Sequence, residues 1–247
     1  MGRSRRQRGA LGHKGPCGVV LNETNEADQL TSGRLGEARV ANPPSGSDDL
    51  IAQFGQIDIY VFDQILRGRI TPQMRVLDAG CGAGRNARYL MRCGADVFGI
   101  DADPRQIGRI QASAEETAPE LPASNFEVGR LTDLPFPDHY FDAVICSAVL
   151  HFAENSSEFE SMVAEMWRVL GVGGIFFSRL ASTIGIEGDV TRLRDRWHRL
   201  PDGSDRFLVD EAYLLQMTSE LEGQLMDPLK TTVVQGMRAM TTWVLKK

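Results

Sequence analysis

The sequence predicts an α/β fold, a doubly wound and mostly parallel sheet that ends in an antiparallel hairpin. Three observations predict it. From Arg75 onward, short apolar runs alternate with longer stretches of helical period. The first of those runs opens directly into a glycine-rich turn, RVLDAGCGAGRNARYL over 75–90, as a strand feeding a helix does. Near the end, LKTTVV and MRAMTTWVL flank Gln235 and Gly236, and two β-rich runs around such a turn read as a hairpin.

Each element has its own signal. Residues 1–46 are rich in Gly, Arg, Asn and Ser, keep no sustained period and close with NPPSGS, so they predict a flexible extension ahead of one domain over 47–247. Ser47 reads as an N-cap. Behind it Leu50, Ile51, Phe54, Ile57, Val61, Ile65 and Leu66 recur at helical spacing, with Gly55 placed to divide the helix. The alternation then runs RVLDA, NARYLMRCG, DVFGID, PRQIGRIQASAEE, NFEVG, FDAVICSAV, EFESMVAEMWRVL and GGIFFSRL. No repeat of about 20 to 50 residues interrupts it, which excludes a solenoid.

Composition narrows the class. At 247 residues, 42% apolar and 24% charged, the chain has ample length for one α/β domain and too little for two. No window approaches the roughly 18 uninterrupted apolar residues of a membrane helix, and MGRSRRQRG lacks the apolar stretch of a secretory signal, so a cytosolic protein is expected. Cys17, Cys81, Cys93 and Cys146 show no C-x-x-C spacing, which predicts reduced thiols and no structural metal. A net charge of −6 argues against broad nucleic-acid binding. Arg3, Arg5, Arg6 and Arg8 form a local basic tip, which either touches RNA or an anionic surface or is merely solvated.

The glycine turn indicates the ligand. A dinucleotide site needs G-x-G-x-x-G, but after Gly80 and Gly82 the third position falls on Arg85, and the spacing is G-x-G-x-G ending at Gly84. Asp78 precedes it by two residues. That charge would repel a pyrophosphate and attract an ammonium. Asp101, ending the strand DVFGI, has the offset at which a carboxylate accepts from both ribose hydroxyls. A nucleoside with a sugar diol and a cationic, phosphate-free tail is required, and S-adenosylmethionine fits.

With these residues in place, the sequence resembles the class I S-adenosylmethionine-dependent methyltransferases from about Ala52 to the C-terminus. The resemblance rests on VLDAGCGAG, Asp101 in GIDAD, DLPFPDHYFDAVIC and RVLGVGGIFF, in that order. It implies a Rossmann-like sheet of seven strands. It also implies that Gly80, Cys81 and Gly82 line the methionine end of the cofactor, that Asp78 sits near its amino group and that Asp101 holds the ribose, with Ala102 and Ser147 in the same set. Arg85 either pairs with the methionyl carboxylate or is an exposed helix-start arginine. Where the family usually has an acid for the adenine amino group, this chain has Arg130, which shifts adenine recognition to the backbone amides of Leu131 or Thr132 and turns Arg130 outward. GRN after the glycines and the ending MTTWVLKK resemble a small-molecule branch that includes tellurite-resistance-type enzymes, which implies tellurite or a soft thiol as one acceptor. A cofactor-binding protein that no longer transfers methyl groups is the alternative that Arg130 raises.

Methyl transfer from a sulfonium needs alignment more than acid–base help. His151, after the strand FDAVICS, is placed either to remove a proton at neutral pH or to bond loop backbone. Arg179, ending GGIFFS, either clamps an anionic acceptor or forms a surface ion pair. Cys81 is read as the small residue the turn needs rather than a nucleophile, Trp167, Trp197 and Trp243 as packing, and His198 as part of a solvated helix face. Segments 49–67 and 181–227 are expected to supply the pocket for a small, partly anionic acceptor, with Phe54, Tyr60 and Phe62 in the first and Arg192, Arg196, Arg206 and Phe207 in the second.

Overall fold

The computed structural model describes residues 47–247, so the expectations for 1–46, including Cys17 and the basic tip, lie outside the described residues. Helix α1 (Ser47–Phe54) ends where Gly55 takes a φ of +63°, and α2 (Ile59–Leu66) restarts after it. Asp58 caps α2, its carboxylate accepting from the Tyr60 amide at 3.0 Å. Ser47 is itself helical rather than the cap.

The alternating segment forms β1 (Arg75–Ala79), α3 (Ala87–Arg92), β2 (Asp96–Asp101), α4 (Pro104–Thr117), β3 (Phe126–Val128), β4 (Phe141–Ser147), α5 (Ser156–Val169) and β5 (Leu170–Ser182). Proline at the first turn of α4 and Asp103 as its cap explain that start, because a missing N–H costs nothing there. Strands β1 to β5 are mutually parallel. The hairpin β10 (Lys230–Val234) and β11 (Arg238–Lys246) adds antiparallel to β5, giving the order β10-β11-β5-β4-β1-β2-β3. Gln235 and Gly236 both have positive φ, 50° and 65°, which suits the right-handed twist of the flanking strands. A two-residue strand, β9 (Gln224–Leu225), pairs with β11, so the sheet holds eight strands against the expected seven.

Neighbouring strand residues point to opposite faces, and both faces are covered. Leu77, Val144 and Phe176 pack on one side with Phe159 and Met166 of α5, while Val76, Ile145 and Phe177 pack on the other with Val61, Leu90 and Ile110 of α2, α3 and α4. Each such side chain contributes about 1.5 to 3 kcal/mol on burial. Trp243 joins β11 to α6 (Glu211–Glu220), donating from its indole to Thr218 Oγ1 at 2.9 Å while fully buried. It packs, as expected.

The segment after β5 departs from its reading. Strands β6 (Thr191–Arg194), β7 (Trp197–Arg199) and β8 (Asp205–Phe207) form a separate antiparallel sheet, turning at Asp195 with φ +42°. His198 therefore lies on a strand, not on a helix face, with Nδ1 at 2.8 Å from the Arg196 carbonyl. Trp197 donates to the Ala153 carbonyl at 3.0 Å, tying this sheet to the loop after β4. Among the described residues, no helix is long and apolar enough to cross a membrane.

Candidate functional site

The chain leaves β1 toward β2 and β3 on one side, then returns to place β4 and β5 on the other. Strand order reverses between β1 and β4, where ligands of open parallel sheets sit. A cavity of about 700 Å³ opens there, within the usual range of small-ligand sites.

Its floor is the turn after β1. Gly80 and Cys81 donate their amides to the Ile100 carbonyl at 2.7 and 3.0 Å, fastening the turn to the end of β2. The glycines serve different ends. A Cβ on Gly80 would stand 2.4 Å from Val149, and one on Gly84 2.7 Å from Ile110, so both are demanded by packing. Gly82, at φ +53°, would meet nothing within 4 Å, because its bare face looks into open space. Its amide donates to Asp101 Oδ2 at 2.9 Å, and Oδ1 accepts from Asp103 at 2.9 Å. Two backbone amides thus fix the Asp101 carboxylate on the cavity wall, with lone pairs left for a ligand.

Asp78 is buried at the end of β1, 1% exposed, and its Oδ2 has no hydrogen-bond partner. Burial pushes its carboxyl up to about 7, with Arg85 lowering it and Asp101 raising it. An unpaired buried carboxylate is costly, and a cationic group beside it would relieve that cost. The charge of the site fits the ammonium of S-adenosylmethionine on that ground, and the open face of Gly82 leaves room for a ligand in the cavity above.

Asp78 lies beneath this cavity without lining it, whereas other expected residues meet there. Arg85, Ala102, Leu131, Thr132 and Ser147 line it together with Gly80, Cys81, Gly82 and Asp101. Burial pushes the Cys81 thiol well above its ordinary range, which leaves it inert as a nucleophile. Arg130 is 72% exposed and pairs with Glu158 at 2.8 Å, and both residues line this same cavity.

His151 and Arg179 stand in an adjoining cavity instead. Burial first, then Arg206 and Arg179, push the His151 imidazole down to about 4. Its Nδ1 accepts from the Ala181 amide at 3.3 Å, so the neutral ring carries its proton on Nε2. The group this ring presents is then Nε2–H, a hydrogen-bond donor. Arg179 donates from Nη1 to Asp58 Oδ2 at 3.3 Å and lies over the Tyr60 ring, while its Nε is buried without a partner.

Asp58 went unnoticed in the sequence. Its Oδ2 also accepts from Ser147 Oγ at 3.0 Å and stands 3.7 Å from Arg85, and its amide donates to Asn86 Oδ1 at 3.0 Å. Only its capping position before IYVF was legible. The acceptor-pocket expectations divide. Arg206 lines the adjoining cavity, Arg192 and Arg196 line a different one, Phe207 is core, and Phe54 and Phe62 cluster with Tyr89. Among the described residues, no group of three His, Cys, Asp or Glu is placed to hold a metal ion.

Comparison with known proteins points to a methyltransferase domain. Residues 77–178 match the family model described as a methyltransferase domain. An uncharacterised methyltransferase of Synechocystis sp. is 36% identical over 107 residues, which cover 43% of this chain and 47% of that protein. A sterol 24-C-methyltransferase of Gibberella zeae is 40% identical over 111 residues, covering 43% and 27%. The chain spans less than half the length of these curated relatives. Among solved structures, magnesium protoporphyrin IX methyltransferase from Synechocystis with bound S-adenosylhomocysteine superposes with a TM-score of 0.58 at 19% identity, over 86% of this chain and 90% of that one. The fold is the Rossmann-like fold of class I methyltransferases.

Proposed function

We propose that the chain is an S-adenosylmethionine-dependent methyltransferase acting on a small-molecule acceptor. The observation that carries this reading is the unpartnered Oδ2 of Asp78 at the foot of the open Gly82 turn. When bound, S-adenosylmethionine would supply an electrophilic methyl group on a sulfonium, whose sulfur would keep the electron pair on transfer to the acceptor's lone pair. The protein's part is placement. Asp101, fixed by two amides, accepts from the ribose hydroxyls, and Asp78 faces the ammonium. Arg85, exposed at 44% of its side chain, exchanges its long contact to Asp58 for the methionyl carboxylate, while Ser147 anchors the same corner. The amides of Leu131 and Thr132 serve the adenine edge, with Glu158 held nearby by Arg130. Alignment rather than proton abstraction sets the rate, because His151 is a poor base at neutral pH.

The narrower tellurite- or thiol-type reading rests on GRN and MTTWVLKK. Both stretches have duties independent of the acceptor: Asn86 holds the Asp58 amide, and Trp243 fills the core. The acceptor is better argued from the adjoining cavity. Titration of the purified chain with S-adenosylhomocysteine, followed by a screen for labelled methyl uptake, tests the proposal. Failure to bind overturns it; binding without transfer to any acceptor favours the non-catalytic alternative.

A further inference from the structure

A second cavity, about 570 Å³ in volume, opens beside the first and shares Ala148 with it. The two are joined by side chains as well. Phe152 lines the first cavity, the His151 ring lies 4.5 Å from it, and the Arg206 guanidinium sits 5.1 Å over its face. Leu200, Val234 and Met240 give the second cavity an apolar side, and Arg179, Arg206 and Arg238 give it a cationic one.

The charges there do not cancel. Arg238 pairs with Asp202 at 2.8 Å and Arg179 with Asp58 at 3.3 Å. Arg206 forms no ion pair among the described residues, and its Nη1 donates to the Asp205 carbonyl at 2.7 Å. Asp58 is shared with Arg85, at 3.7 Å, and so compensates Arg179 only in part, which leaves the cavity with an excess of positive charge. Donors without acceptors stand beside it: Arg179 Nε is buried without a partner, and the neutral His151 ring, with Nδ1 engaged by Ala181, offers only Nε2–H. Such an arrangement asks for an anion, since guanidinium and imidazole donors bond charged oxygen more strongly than neutral oxygen.

We propose that this cavity holds the methyl acceptor, and that the acceptor is a monocarboxylate with an apolar body. The proposal rests on the methyl-transfer reading for the word acceptor, and on the cavity alone for the carboxylate. An excess of positive charge on planar guanidiniums beside an apolar wall matches a carboxylate on an apolar body. The apolar wall takes the remainder of the molecule, and the shared Ala148 keeps it next to the cofactor.

The test uses benzoate and its neutral isostere benzamide, titrated calorimetrically into the full chain saturated with S-adenosylhomocysteine. Benzoate should bind, and benzamide should bind about tenfold more weakly or worse, as loss of a charge-assisted pair requires. Arg206→Gln should weaken benzoate about tenfold while leaving S-adenosylhomocysteine affinity unchanged, and Arg206→Lys should restore part of the loss. Benzoate that fails to bind, benzamide that binds equally well, or an Arg206→Gln protein with full benzoate affinity overturns the proposal. Inorganic phosphate binding more tightly than benzoate overturns the assignment of a carboxylate. If a separate titration shows no binding of S-adenosylhomocysteine while benzoate binds the chain alone, the methyl-transfer reading fails and the anion site stands.

Discussion

The buried carboxyl of Asp78 costs the protein stability, and under the reading proposed above it repays that cost on binding, so Asp78→Asn measures both sides of the exchange. Its carboxyl titrates near 3.8 when exposed and is pushed up to about 7 in the fold, burial being the main cause. Between those values the folded chain keeps a proton the unfolded chain has lost, so stability falls as pH rises through this window and levels off above about 7. At about 1.36 kcal/mol per pH unit, the whole window costs about 4 kcal/mol, of which roughly 3 lies between about pH 5 and about pH 8. Asparagine cannot ionise. Urea unfolding across that range should show the variant gaining on the natural protein as pH rises, with the gap widening by roughly 3 kcal/mol. The ligand should reverse the order, because an ammonium beside Asp78 favours its ionised form. Binding of S-adenosylhomocysteine near pH 7 should therefore release a fraction of a proton in the natural protein and none in the variant, read by calorimetry in buffers of different ionisation enthalpy. Parallel stability curves for the two proteins would refute the burial argument. Equal proton release would refute the ammonium contact.

Asp101→Ala removes both the ribose acceptor and the anchor for the Gly82 amide, and should weaken S-adenosylhomocysteine more than about tenfold by calorimetry, at about 1.5 to 3 kcal/mol per charge-assisted bond. Gly82→Val should abolish binding in a protein whose circular dichroism is intact, whereas Gly84→Ala, which sets a Cβ 2.7 Å from Ile110, should lower the melting temperature first. Trp243→Phe leaves Thr218 Oγ1 without its indole donor and should cost about 1 kcal/mol or more in urea unfolding, with cofactor affinity unchanged. His151→Gln should leave the shape of the activity profile near neutral pH unaltered, since the ring is already uncharged there; loss of a neutral-pH inflection in labelled methyl uptake would restore a proton-transfer role.

The sheet was legible because its strands are buried on both faces, so they read as continuous apolar runs between helical periods. The turn was legible because the glycines and Asp101 act through backbone geometry, which is local to the motif. The small sheet was not. Residues Thr191–Arg194 are exposed throughout and half of them are charged, so neither period 2 nor period 3.6 stands out, and His198 reads as part of a helix. What makes β7 a strand is pairing with β8 and the turn at Asp195, neither of which leaves an apolar pattern.

The same limit explains the two arginines. Read from sequence, Arg85 and Arg179 were independent candidates for two different anions, one on the cofactor and one on the acceptor. In the fold both reach one buried carboxylate, Asp58, which lies 89 residues from Ser147 and 121 from Arg179 along the chain. That carboxylate cannot satisfy both guanidiniums fully: its Oδ2 stands 3.3 Å from Arg179 Nη1 and 3.7 Å from Arg85 Nη2, both longer than a well-formed charge-assisted bond of about 2.7 to 2.9 Å. Each arginine is therefore held in place and left short of charge compensation. A carboxylate arriving on either side finds a cation already oriented and only loosely engaged, and Asp58, on the helix ahead of the sheet, sets the position of both. No local spacing encodes such a hub, since it exists only once α2, β4 and β5 have been brought together by the core beneath them.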